Sequence, residues 1–131
     1  MDAPSHSYFS TLHDDCLAAG LEFVGTVVFL LLGLGGIQAA VAESGSGAAP
    51  SSGVEMVLYV STSMGLSLLV SAWLFFRITG GLFNPNVSLA LLLVGAIGPV
   101  RFVLYCIAQL LGGIAAAALV LALTPGKLAF K

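Results

Sequence analysis

Three long apolar stretches, each long enough to cross a lipid bilayer, limit what this chain can fold into. They cover residues 17–42, 56–76 and 100–123. The hydrocarbon core of a bilayer is about 30 Å thick and is crossed by roughly 20 apolar residues of helix. Glu22 lies inside the first stretch, and Arg101 lies near the start of the third. The pattern predicts an all-α integral membrane protein with three transmembrane helices.

The composition excludes the common soluble classes. Of the 131 residues, 8% are charged, whereas roughly a quarter are charged in an ordinary soluble domain. Four basic and six acidic residues are too few to cover a soluble surface, which excludes a cytosolic enzyme and a disordered tail. The net charge of −2 offers no basic surface to nucleic acid. No nucleophile–base pair, phosphate-binding loop or metal-ligand cluster stands out, so we expect no catalysis, no cofactor and no metal site.

The two connections between the apolar stretches differ in character. Residues 43–55 are rich in small residues and predict an extracellular loop. Residues 77–99 are too apolar for a surface loop, yet glycine and proline interrupt them. Their helical part, predicted over 85–94, would be roughly 15 Å long, which is half of a bilayer. Apolar backbone that cannot span persists at membrane depth only where it lines a cavity, so we predict a re-entrant loop with a half-helix.

The basic residues predict an orientation. Arg77 and Arg101 flank the re-entrant segment, whereas the 43–55 loop has no lysine or arginine. The positive-inside rule therefore predicts that the N-terminal segment, residues 1–16, is cytoplasmic. This segment lacks the basic region of a signal peptide, so we expect the mature protein to keep the first apolar stretch as a transmembrane span. The lysines of the predicted short tail, residues 124–131, argue for the opposite orientation.

The half-helix is predicted to begin at Asn84-Pro85. Asparagine is a preferred N-cap because its side-chain oxygen accepts a hydrogen bond from the first turn. Proline suits the first helical position, which needs no N–H. If Asn84 Oδ1 caps the helix, the amide N–H₂ group is left to donate to a passing water or hydroxyl. A capped kink between two helices is the alternative interpretation.

The surroundings of this cap favour a pore. A helix N-terminus carries about half a positive charge, which repels cations and protons. Gly80 and Gly81 are expected to let the preceding backbone run extended, with its carbonyls turned toward the same space. A row of acceptors that leads to a donor is typical of a pore for small neutral polar molecules.

Several motifs, in order along the chain, resemble the aquaporin (major intrinsic protein) family. GGLFNPNVSLAL looks like the first Asn-Pro-Ala box of that family, and FFRITGGLFNP is similar to the fungal type. Three further segments resemble the first helix, the third helix and its exit: residues 22–26, 105–112 and 124–126. From about residue 17 to 126, the chain is similar to the first half of the family.

The resemblance implies one inverted-repeat half of a right-handed bundle, in which the half-helix meets an inverted counterpart at the midplane. In such a bundle Asn84 and Pro85 line the pore, and the carbonyls of Gly80, Gly81 and Leu82 form its acceptor row. The implied partners are membrane lipid, water and small neutral solutes. The family also implies a tetramer, in the plasma membrane or another cellular membrane.

Two polar side chains inside the predicted spans need partners. The resemblance implies that Glu22 holds the re-entrant loop in place, and a carboxylate within a span does need donors such as loop N–H groups. The alternative is that Glu22 reaches water at the cytoplasmic end of its span. Gln109 is a buried amide that must form hydrogen bonds, with the loop or with a neighbouring span.

Three features depart from the family. The box reads Asn-Pro-Asn, so Asn86 brings an amide where alanine is usual. Met64 stands where the outer filter usually has an aromatic residue, which predicts a wider or softer filter. The chain also has no second box and no fourth to sixth spans, although inverted-repeat proteins build their site from both halves. We therefore expect the N-terminal half of a channel for water and small neutral solutes such as glycerol. The alternative is a truncated, non-conducting protein that associates with full-length relatives or with a complementary half.

Overall fold

The chain folds into a small bundle of helices. The structure is a computed structural model that describes residues 8–45, 52–124 and 126–128, with side chains from residue 11 onward. In chain order the helices are α1 (Tyr8–Ser44), α2 (Gly53–Thr79), α3 (Pro85–Leu93) and α4 (Pro99–Leu123). No strand occurs in these ranges. The predicted all-α class is confirmed.

Three of these helices are long and apolar enough to cross a membrane. The candidate spans are Thr11–Ser44, Gly53–Thr79 and Pro99–Leu123. The remaining helix, α3, has nine residues and is therefore roughly 14 Å long, about half of the hydrocarbon core. The architecture is thus three transmembrane helices and one half-helix.

The helices are longer than the apolar stretches from which they were predicted. α1 begins at Tyr8 rather than near Leu17, because residues 8–17 contain polar side chains but no glycine or proline to end a helix. α2 likewise extends beyond 56–76, from a Ser52 cap to a glycine at its end. Residues 1–7, 46–51, 125 and 129–131, which belong to the predicted N-terminal segment, loop and tail, lie outside the described residues.

The first helix is the centre of the bundle. α1 packs against α2 on one side and against α4 on the other, and α3 packs against α4. Within the described ranges, the backbones of α2 and α4 do not pack closely against each other. A buried cluster between α1 and α4 includes Leu82 from the re-entrant loop, so the loop is seated in this seam.

A glycine permits the closest approach of α4 to α1. A Cβ atom on Gly112 would lie 2.9 Å from the carbonyl oxygen of Phe23 and 2.9 Å from Cβ of Thr26. Ala116, one turn further along α4, is fully buried. Small residues at such positions let two helix backbones pack closely in a membrane.

Polar contacts link the two ends of this seam. Arg101 Nε, at the start of α4, donates to Asp15 Oδ1 over 2.6 Å, and the Asp15 carboxylate is buried. Near the other end, Gln38 Nε2 donates to the carbonyl oxygen of Lys127 over 3.0 Å. Because one of these bonds lies near each end of the contact, together they restrict how far α4 can slide along α1.

Candidate functional site

The loop between α2 and α3 is bound by one buried carboxylate. Glu22 on α1 has no exposed surface. Its Oε1 accepts a hydrogen bond from Leu82 N over 3.1 Å, and its Oε2 accepts one from Phe83 N over 2.8 Å. A buried carboxylate is costly unless donors surround it, and these loop N–H groups are two such donors. The structure therefore places Glu22 against the loop and away from water.

Two side chains complete the coordination of this carboxylate. Thr79 Oγ1, at the end of α2, donates to Glu22 Oε1 over 2.6 Å. Gln109 Nε2, on α4, donates to Glu22 Oε2 over 2.9 Å. The carboxylate thus receives hydrogen bonds from α2, the loop and α4. Because it lies on α1, it joins three separate parts of the fold.

A second branch of the network reaches the half-helix. Gln109 Nε2 lies 3.0 Å from Ser88 Oγ, to which it donates. Ser88 Oγ in turn lies 3.2 Å from the carbonyl oxygen of Asn84, which can accept its proton. Ser88 and Gln109 are both buried. The first turn of α3 is therefore linked to the same carboxylate through two side chains.

The end of α2 is held from α4 as well. Tyr105 is fully buried, and its hydroxyl donates to the carbonyl oxygen of Thr79 over 3.1 Å. The Thr79 hydroxyl also accepts a hydrogen bond from Gly81 N over 3.1 Å. The carbonyl and the hydroxyl of Thr79 therefore both form hydrogen bonds at the point where α2 ends and the loop begins.

The backbone after α2 differs from the extended run predicted at Gly80 and Gly81. Gly80 has φ 93° and Gly81 has φ 61°, so both are left-handed. The prediction is wrong because Gly80 ends α2 as a left-handed cap, whose N–H donates to Phe76 O over 3.0 Å. Among the described residues, none donates a hydrogen bond to the carbonyls of Gly80, Gly81 or Leu82.

The half-helix begins as predicted at Asn84. The residue has extended backbone (φ −148°, ψ 122°), its Oδ1 accepts from Asn86 N over 2.9 Å, and Pro85 follows at the first position. The side chains of Asn84 and Asn86 are exposed. No described residue accepts a hydrogen bond from the Asn84 amide. The cap therefore holds the oxygen of Asn84 and leaves its N–H₂ group at the open end of α3.

Met64 lies elsewhere, at the contact between α1 and α2. It is half-buried, and its Sδ occupies the space that a Cβ atom on Gly33 would need. The structure does not bring Met64 into the network around Glu22. It is the one predicted site residue that packs against α1 without a hydrogen bond to the loop or to α3.

Sequence reasoning assigns no role to Thr79, Ser88, Phe83 or Tyr105, although all four belong to the site. A usable signal exists for Ser88, which follows Asn84 by one helical turn and so faces the same side of α3. Tyr105 and Gln109 have the same spacing on α4. Thr79 and Phe83 carry no comparable signal for their bonds to Glu22, which lies 57 and 61 residues away in sequence.

Comparison with known proteins agrees with this architecture. A sequence profile described as "Major intrinsic protein" matches residues 10–130 of the chain. The chain belongs to the major intrinsic protein family. Its aquaporin resemblance is thereby confirmed, and so is its nature as an integral membrane protein.

Fungal aquaporins are among the relatives of this family member. An aquaporin of Laccaria bicolor is 65% identical over 123 residues, which cover 93% of this chain and 40% of the relative. Aquaporin-1 of Laccaria bicolor is 63% identical with the same coverage. Aquaporin-2 of Botryotinia fuckeliana is 47% identical over 107 residues, or 80% of this chain and 28% of that relative. The chain thus spans about 40% of the length of the Laccaria relatives.

Proposed function

We propose that the chain forms one half of a membrane channel of the aquaporin type, which passes water and small neutral solutes and catalyses no reaction. The observation that carries this proposal is the Asn84 amide. Its oxygen is engaged in the cap, its nitrogen is exposed, and the backbone behind it is bonded to the buried Glu22 network. A donor fixed in this way can orient a passing water or hydroxyl with little loss of entropy.

The loop supplies the acceptors that such a pore requires. The carbonyls of Gly80, Gly81 and Leu82 precede the donor along the chain, and none of them is bonded within the described residues. The positive end of the α3 dipole repels cations. A row of acceptors followed by a single donor suits molecules that both donate and accept hydrogen bonds.

A complete pore also needs a second wall. α3 is too short to span the membrane, and it exposes the apolar side chains of Val87, Leu89 and Leu93. We propose that these side chains pack on a complementary half-helix and that complete channels form tetramers, as the family resemblance implies. We place the channel in the plasma membrane or another cellular membrane, as the family resemblance implies. Its N-terminus is then cytoplasmic, because Arg77 and Arg101 flank the re-entrant segment.

A second candidate function is association without conduction. The same exposed apolar side chains on α3 suit contact with another polypeptide, so the chain can instead bind full-length relatives and alter their activity. Co-expression with a Laccaria aquaporin distinguishes the two. A fall in the permeability of that relative, with no permeability from this chain paired with a complementary half, supports this second function.

The 131-residue polypeptide alone is expected to conduct no water above background. Asn84 and the loop form only one wall, and lipid or another copy would fill the opposite side. Liposomes that contain the purified chain should swell at the rate of empty liposomes in a stopped-flow assay. Rapid swelling with a low Arrhenius activation energy would contradict this expectation and indicate that two copies rebuild the inverted repeat.

Reconstitution with a complementary half gives the positive arm of that experiment. The second half of a Laccaria aquaporin should restore rapid swelling when it is co-inserted with this chain. Asn84→Asp is the matched variant, because aspartate caps a helix as well as asparagine but has no amide to donate. Wild-type swelling by Asn84→Asp would exclude the donor role of Asn84.

Met64→Phe is expected to lower the glycerol-to-water permeability ratio of a complete channel that contains this half. A rigid aromatic ring at this position narrows the constriction that the flexible thioether leaves wider. Met56→Phe, the same substitution near the start of α2, is the control and should leave the ratio unchanged. Asn86→Ala in the same solute panel tests whether the added amide contributes. An unchanged ratio in Met64→Phe would mean that Met64 does not line the filter.

A further inference from the structure

The residue directly before Asn84 has an unusual backbone conformation. Phe83 has φ 46°, and it is the only non-glycine residue with positive φ among those described. Bulky residues rarely adopt this left-handed conformation, because their Cβ atom crowds the backbone. Asn84 leaves the loop in a direction that depends on the dihedral angles of Phe83, so whatever holds Phe83 also aims Asn84.

The ring of Phe83 is enclosed on several sides. It packs edge-to-face on Phe75, with ring centroids 5.8 Å apart at 89°, and it lies 6.4 Å from the Phe29 ring. Only 4% of the residue is exposed. Edge-to-face pairs at such distances are favourable beyond the apolar area that they bury.

A glycine on α1 makes the space for this ring. A Cβ atom on Gly25 would lie 2.7 Å from Phe83 Cζ and closer still to Phe83 Cε1. One turn earlier on α1, Glu22 Oε2 accepts the hydrogen bond from Phe83 N over 2.8 Å. The same face of α1 therefore binds both the backbone and the ring of Phe83.

We propose that Phe83 is the positioning residue for Asn84. Its ring, seated between Phe29 and Phe75 over Gly25, holds the backbone in the left-handed conformation and thereby directs the Asn84 amide away from the bundle. The consequence of this positioning for permeation rests on the proposed function, but the positioning of Asn84 by Phe83 does not. The rival explanation is that the left-handed turn suffices, in which case glycine at this position would serve equally well.

The composition of the chain makes a selective experiment possible. Asn84 and Asn86 are its only asparagines. The full 131-residue chain, labelled with [¹⁵N]asparagine and placed in lipid nanodiscs, should therefore show two backbone and two side-chain amide sites by NMR. Asn86 N reports the cap directly, because it donates to Asn84 Oδ1.

Phe83→Ala and Phe83→Gly are both expected to shift or split the side-chain amide signals of Asn84 and to move the Asn86 backbone signal as the cap loosens. The Asn84 backbone signal is not a readout here, because replacing the preceding residue shifts it in any conformation. Leu82→Ala is the matched control, since Leu82 is also buried and its N–H is also bonded to Glu22. Its loss removes apolar contact from the same loop without freeing the backbone before Asn84, so the Asn84 signals should stay near their wild-type positions.

A second pair of variants leaves Phe83 in place. Gly25→Ala should displace the ring and shift the Asn84 signals, whereas Gly20→Ala should not, because no atom lies within 4 Å of a Cβ there. Adding Phe83→Ala to Gly25→Ala should cause little further change if both act through the same contact.

Wild-type side-chain signals of Asn84 in Phe83→Gly would overturn the proposal. Equal shifts of these side-chain signals in Leu82→Ala and Phe83→Ala would overturn it as well, as would an effect of Gly20→Ala as large as that of Gly25→Ala. Permeability of a complete channel that carries Phe83→Ala separates the two claims. Shifted Asn84 signals with unchanged permeability support the positioning role and count against the pore role of Asn84.

Discussion

Replacement of Glu22 by alanine is expected to release the re-entrant loop while leaving the helices inserted. The Leu82 and Phe83 N–H groups would lose the acceptor that they share, and each buried donor left unsatisfied costs about 1–3 kcal/mol. A tenfold change in an equilibrium corresponds to about 1.4 kcal/mol. We therefore expect a cysteine reporter at Leu82→Cys to be labelled roughly tenfold faster or more.

The reporter requires Cys16 and Cys106 to be replaced by serine, since both are free thiols. Glu55→Ala is the control, because Glu55 is an exposed carboxylate at the start of α2. It should leave the labelling rate unchanged. If the cysteine were labelled as slowly in Glu22→Ala as in the protein that keeps Glu22, the loop would hold its position without the carboxylate. The anchoring role of Glu22 would then be wrong.

Gly112→Ala is expected to destabilise the bundle by about 1–3 kcal/mol, the usual cost of overpacking. The new methyl group would press on the carbonyl oxygen of Phe23, which is backbone and cannot move aside. α4 would shift away from α1, and Gln109, one turn before Gly112, would withdraw from Glu22. The measurement is the midpoint of thermal aggregation in detergent, determined from the fraction of protein that still elutes as a single species in size-exclusion chromatography after heating.

The neighbouring glycine provides a control with the same chemistry. A Cβ atom on Gly113 would lie 3.5 Å from Leu30 Cδ1, an ordinary contact. Gly113→Ala should therefore be neutral or stabilising, because alanine favours a helix by about 1 kcal/mol relative to glycine. Equal midpoints for the two variants would contradict the close approach at Gly112.

Local signals in the sequence are sufficient for the helices and for the start of the half-helix. The apolar stretches predict the spans because length and composition alone decide whether a helix can cross a bilayer. Asn84 and Pro85 predict the beginning of α3 because a cap and the first helical position each have a local chemical requirement. The start of α1 at Tyr8 is missed, because a helix can extend beyond the limits of its apolar residues.

Contacts that join distant residues are harder to predict. The Asp15–Arg101 pair and the Tyr105 bond to Thr79 connect positions 86 and 26 residues apart, and nothing local indicates which partner each residue meets. Gly80 and Gly81 show a related difficulty. Glycine permits both extended and left-handed backbone, so the choice depends on how α2 ends and on what the loop contacts.

The central place of α1 has a consequence for how the protein is made. Chains leave the ribosome from the N-terminus, and structure forms in that order. α1, the helix that both α2 and α4 contact, is synthesised before either of them. α2 and the loop can therefore dock on Glu22 as soon as they enter the membrane, whereas the Gln109 bond must wait for α4. Biosynthesis of this part of the protein then proceeds by successive additions to one existing surface, and the insertion of α4 closes the buried network.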